Sequence, residues 1–177
     1  MPIATAEIGD DEYAPSYAGY VARAKGAGAD VLAHLAAQGP RTSALLAAVP
    51  EARGGFRYAA GKWSIKEVVG HLADGERIMA YRALRIGRGD RTPLAGFDQD
   101  PYVAVAGFDA RPLADLAAEL AAVRAATVAL LSHFDAAALA RRGIASDNEI
   151  SVRALAAIIA GHELHHLAIL AERYHTP

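Results

Sequence analysis

Near the C-terminus, Leu155, Ile158, Ile159, His162, His166 and Ile169 recur at helical spacing, so two imidazoles fall on the apolar stripe of one helix. No other feature of the chain limits its fold so tightly. An apolar stripe faces a core, and a buried imidazole where leucine would serve is costly unless it is bonded. Two of them on adjacent turns call for a shared partner, and a single metal ion is one that both can grip. The rest of the chain must then supply packing for this helix and a third ligand.

Four long helices are expected. The first runs from about Tyr17 to Gln38, with Val21, Val31, Leu32 and Leu35 inward, and stops at Gly39-Pro40; a short helical piece, Arg41 to Ala48, follows. The second opens at Ser64-Ile65-Lys66-Glu67, a capping box in which the serine oxygen takes the third amide and the glutamate reaches back. Its stripe is Val68, Leu72, Ile78, Met79 and Ile86. The third starts near Pro112, suited to a first turn, and runs to about His133. A short turn at Ala136 to Ala140 and a loop from Arg142 to Glu149 lead to the fourth, capped by Ser151 and ending near Tyr174. Residues 1–14 are acidic and poor in large apolar groups, and read as a flexible arm before a single domain over 15–177. Residues 88–110 form a connection long enough to suggest a function.

These elements predict an all-α four-helix bundle, and the abundance of alanine within the 53% hydrophobic content favours helix over strand. A formal net charge of −2 points to neither nucleic acid nor an anionic membrane as partner. Cysteine is absent, which excludes disulfides, thiolate ligands and cysteine nucleophiles and fits a reducing compartment. With no basic-then-apolar leader at Met1 to Glu7 and no uncharged apolar run of about 18 residues, a cytoplasmic chain without a membrane span is expected.

His71 is the best upstream partner for His162 and His166. Val68, Gly75 and Ile78 place it on the inward stripe of the second helix, and Gly75 leaves room one turn on. Both His71 and His166 fall roughly 10 to 12 Å from the ends of their helices at about 1.5 Å per residue. They share a level only if helices two and four are antiparallel, which makes the order up-down-down-up with the 88–110 segment crossing over between helices two and three. His162-Glu163-Leu164-His165-His166 also fits the zinc-protease pattern H-E-x-x-H, with glutamate as base. The extended form of that pattern needs a glycine and a histidine where Ile169 and Glu172 stand. Imidazole ligation suits Zn, Ni, Fe or Cu, and three neutral ligands leave an open position for water or an external thiol.

Glu163, as a proton shuttle, and His165 are lesser catalytic candidates. Trp63, Arg82 and Asp98 are lesser substrate-binding ones. Asp74 and Glu76 read as surface charges.

Trp63 to Leu72 resembles the second-helix signature of the DinB-like superfamily, and Gly161-His162-Glu163-Leu164-His165-His166 resembles its last-helix H-x-x-x-H signature. The resemblance spans about residues 17–174. It implies a four-helix bundle holding a divalent metal, zinc or nickel foremost, on His71, His162 and His166. It also implies frequent homodimers, and either thiol S-transfer with a low-molecular-weight thiol as cosubstrate or metal-dependent hydrolysis of a small molecule. The competing expectation is a non-catalytic bundle that the metal merely stabilises, serving as an interaction module.

Overall fold

The structure, a computed structural model, describes residues 1–176. Its helices are α1 (Ala18–Ala27), α2 (Val31–Ala47), α3 (Ile65–Gly87), α4 (Gln99–Ala106), α5 (Leu113–Ser132), α6 (Ala136–Ala140) and α7 (Val152–Tyr174), with strands β1 (Arg142–Ala145) and β2 (Asn148–Ser151). The bundle is α2, α3, α5 and α7.

Contacts at the helix ends fix the directions. Tyr174 at the end of α7 donates its hydroxyl to the carbonyl of Trp63, 2.6 Å away, just ahead of α3. At the other end of the pair, Arg141 bonds the carbonyl of Gly87. So α3 and α7 are antiparallel. Ser64 and Asp109, which precede α3 and α5, are hydrogen-bonded, and Phe134 lies against Gly87 where both helices have ended, so these two are parallel. Gln38 meets Ala160 and Thr42 meets Glu163, which makes α2 parallel to α7. The order is up-down-down-up, with the crossover between α3 and α5 as the levels of the histidines require.

Apolar packing falls into two clusters. One joins the N-terminal segment, the start of α2, the end of α3 and the first half of α7, through Ile3, Leu35, Ile86 and Leu155 among others. The other joins the end of α2, the starts of α3 and α5, and the end of α7, through Leu46, Ile65, Leu116 and Leu170. Between them every bundle helix turns polar at one level: Gln38 and Thr42, Glu76, Arg124 and Thr127, and Glu163 are all buried.

Several expectations need correction. Residues 1–14 are not a loose arm. Ile3 and Ile8 are each 2% exposed, and Glu12 is ion-paired to Arg153. The first helix breaks at Gly28 to Asp30 rather than at Gly39-Pro40. Asp30 caps α2 by accepting from the Leu32 amide at 3.0 Å. The helix then continues through Pro40 because Leu35, Gln38, Thr42 and Leu46 keep one face buried on both sides of it.

The 142–149 segment belongs to an antiparallel hairpin, with positive φ at Ser146 and Asp147 supplying the tight turn. Leu94 of the crossover pairs with β1 through Ile144 O and Ser146 N. Inside the crossover, Asp98 caps α4 and Gly107, at φ +67, ends it. Among the described residues, α7 alone is long and apolar enough to cross a membrane, and more than half of its apolar window is buried in the bundle.

Candidate metal centre

Both helices that carry the histidines start at firm caps. Ser64 accepts from the Glu67 amide at 3.0 Å while Glu67 accepts from the Ser64 amide at 2.8 Å. Ser151 accepts from the Ala154 amide at 3.0 Å. Phased from these ends, the helices aim His71, His162 and His166 at one point. The Nε2 atoms of His71 and His162 are 3.0 Å apart, and those of His162 and His166 are 3.1 Å apart. The three ligand atoms lie within 4.8 Å of one another. Tetrahedral ligands about 2.05 Å from zinc stand about 3.3 Å apart, so the spacing suits an ion of that size.

Glycines make this convergence sterically feasible. A Cβ at Gly75 would come within 3.3 Å of His162 Cε1, so the gap in α3 admits the imidazole from α7. A Cβ at Gly161 would sit 1.8 Å from the carbonyl oxygen of Tyr20, which lets α1 touch α7 backbone to side. Tyr20 then places its ring 5.2 Å from that of His162 and 5.4 Å from that of His165. The Trp63 ring lies 4.7 Å from that of His71.

Burial decides the protonation of the triad. Loss of solvent pulls His71 down to about 4 and His166 down to about 3, with neighbouring imidazoles adding to the effect at His166. His162 is held well below the ordinary histidine value by the same desolvation and by His166 and His71. All three are therefore neutral at pH 7, with lone pairs free for a cation.

A cavity of about 410 Å³ opens over His71 and His162, floored by Leu72, Met79, Ile158 and Ile159 and walled by Tyr17, Tyr20 and the Phe97–Gln99 segment. Behind it lies a buried ion network. Arg124 donates to Glu76 through Nε (2.9 Å) and Nη2 (2.8 Å), and through Nη2 to Glu163 (2.5 Å). Thr42 bonds the other oxygen of Glu163.

The lesser candidates fall in different places. Glu163 is buried in this network and also borders the cavity. His165 lies beside Tyr20, outside the triad. Asp98 stands on the cavity rim and caps α4. Trp63 packs on His71 without lining the cavity. Arg82 is buried behind Phe97, donating to Ala95 O and Ser146 Oγ at 2.9 Å each, so it secures the crossover and the hairpin instead of reaching a substrate.

Sequence reasoning assigned Glu76 to the surface and passed over Arg124; both are buried. The signal was present. Glu76 continues the stripe of Leu72 and Met79, and Arg124 continues that of Leu120 and Leu131.

A four-helix bundle with three imidazoles converging from two facing helices beside an open cavity has the arrangement in which helical bundles build metal sites. The DinB superfamily model matches residues 34–170, and the chain belongs to that superfamily.

Three solved structures share the fold. YfiT from Bacillus subtilis, described as a probable metal-dependent hydrolase with an unusual four-helix bundle topology, superposes with a TM-score of 0.74 at 17% identity, over 94% of this chain and 95% of YfiT. A mycothiol-dependent maleylpyruvate isomerase gives 0.63 at 13% identity, over 77% of this chain but only 58% of the isomerase. YjoA, a DinB-like protein of Bacillus subtilis, gives 0.56 at 20% identity, over 79% of this chain and 85% of YjoA. No curated protein sequence matches the chain.

Proposed function

We propose that this chain is a metal-dependent enzyme acting on a small molecule, with His71, His162 and His166 holding one divalent transition ion, zinc or nickel. The observation that carries the reading is the convergence of three neutral imidazoles, two of which, His71 and His162, line an open cavity. When bound, the ion supplies Lewis acidity and lowers the pKa of a coordinated water or thiol into the neutral range. The protein's own part is to orient. Trp63 and Tyr20 fix the planes of His71 and His162 from either side. Leu72, Met79, Ile158 and Ile159 give the substrate an apolar floor.

Of the two chemistries, hydrolysis and thiol S-transfer, the cavity volume favours hydrolysis. About 410 Å³ lies toward the small end of the roughly 300–1,000 Å³ that single-ligand sites occupy. That accommodates one small substrate and a water more readily than a substrate with a low-molecular-weight thiol. The open cavity also argues against a metal that serves stability alone. The proposal carries with it a homodimer, a cytoplasmic setting and no nucleic-acid or membrane partner.

Elemental analysis of the purified protein is the first test. The wild type and His165→Ala should retain about one equivalent of metal. His71→Ala, His162→Ala and His166→Ala should each lose most of it. Equal metal content in all five proteins would overturn the assignment. An esterase and amidase panel run beside a thiol-conjugation assay on the same samples separates hydrolase from transferase.

A further inference from the structure

The charge around the cavity has one sign. The residues lining it include Glu76, Asp98 and Glu163 and no lysine or arginine. Glu76 and Glu163 share the single guanidinium of Arg124, which lies behind them, so the inner wall keeps a formal charge of −1. At the mouth, marked by the exposed residues Ser16, Asp98 and Gln99, Asp98 has no ion-pair partner among the described residues. Arg82, whose guanidinium carbon lies 5.8 Å from the Phe97 ring centroid, does not line the cavity and is bonded to Ala95 O and Ser146 Oγ. Tyr17, Tyr20 and Phe97 line the same cavity, and aromatic faces attract organic cations. The apolar floor extends to Met79, two helical turns beyond His71 or about 12 Å.

We propose that the cavity selects a cationic substrate, a small organic ammonium with an apolar body. Its charged end sits at the mouth among Asp98, Tyr17 and Phe97, and its body runs over Leu72 and Met79 toward the imidazoles. The proposal rests on the reading of this cavity as the substrate site. Without a bound ion, an anionic substrate of equal shape must pass Asp98 and lie beside a wall of its own sign; a divalent ion at the imidazoles offsets the inner wall, and Asp98 at the mouth remains. A neutral one gains the apolar floor but nothing at the mouth.

The test uses three probes of matched length: 4-phenylbutylammonium, 4-phenylbutanol and 4-phenylbutanoate. Their affinities are measured by calorimetry at low salt, on the full chain as purified and after metal removal by a chelator. In the metal-free protein the ammonium should bind at least tenfold more tightly than the alcohol, and the carboxylate most weakly. Asp98→Asn keeps the helix cap; it should reduce the ammonium's advantage about fivefold and leave the alcohol unchanged. Phe97→Leu should weaken the ammonium more than the alcohol, which provides a second reading if Asp98→Asn perturbs α4.

Equal binding of ammonium and alcohol, tightest binding of the carboxylate to the metal-free protein, or no binding of any probe would overturn the proposal. Metal content measured on the same samples separates the two ideas. Metal present in the protein as purified without cation preference removes only the cationic substrate, whereas cation preference in protein that carries no metal as purified removes the enzyme reading.

Discussion

Replacing Glu12 by glutamine should loosen the wall of the cavity from a distance. Glu12 lies in a 3-10 turn at residues 10–12, yet its side chain is buried. Burial alone would raise its carboxyl, but hydrogen bonds from Arg153, Ser151 and the Gly9 amide outweigh that and hold it at about 2, against 4.5 for a free glutamate. Arg153 closes on it as a fork, with contacts of 2.8 and 2.6 Å, from the first turn of α7. Because the folded value lies below the unfolded one, the stabilisation is complete above about pH 4.5 and is lost as the pH falls toward 2. The difference between 4.5 and about 2 corresponds to at most about 3.4 kcal/mol. Arg153 keeps some solvent access, which screens the pair and brings the expected effect to about 2 kcal/mol. Urea unfolding at neutral pH should show Glu12→Gln less stable by that amount, with the difference vanishing near pH 2. The same latch leads directly to Ser16, Tyr17 and Tyr20, so probe binding should weaken in the variant even at low denaturant. A difference between the two proteins that does not change between about pH 7 and pH 2 would refute the reasoning.

Three further outcomes follow from the packing around the triad. Arg124→Ala leaves two buried carboxylates without their shared cation and should destabilise by about 3–5 kcal/mol in urea unfolding. Gly161→Ala drives a methyl group into the Tyr20 carbonyl, so α1 must move off α7; the expected loss is about 1–3 kcal/mol, with lower metal content from the displaced His162. Trp63 is the only tryptophan in the chain and lies 4.7 Å from His71. Nickel added to metal-stripped protein should therefore quench its fluorescence, and His71→Ala should abolish the response.

What could be read in the sequence was whatever a single periodicity or cap encodes. The Ser64 capping box located the start of α3, and the stripe through Val68 and Leu72 aimed His71 inward. Matching levels then forced the antiparallel pairing with His162 and His166. What escaped depended on tertiary contacts. Pro40 is a local stop signal that packing on both sides of it overrides. The hairpin turns on Ser146-Asp147, without the Asn-Gly or Asp-Gly that normally marks such a turn. Residues 1–14 are acidic enough to suggest solvent, yet Arg153, far along the chain, draws Glu12 inside. Glu76 and Arg124 were judged by charge rather than by their position on inward stripes.

The buried layer of Glu76, Arg124 and Glu163 bears on function more than on stability. Two apolar clusters flank it along the bundle, and extending them through it would leave the helices packed. A buried ion triad replaced as a unit by apolar groups of similar volume is often as stable or more so. A combined Glu76→Leu, Arg124→Met, Glu163→Leu variant should therefore keep or raise the melting temperature, in contrast to Arg124→Ala alone. It removes the −1 charge from the wall nearest the triad. Affinity for a divalent ion at His71, His162 and His166 should fall, and the ammonium probe should lose part of its advantage over the alcohol. If both stay at wild-type values while the fold holds, the layer serves only to set the register of the helices. If both fall, its charge acts on whatever occupies the cavity.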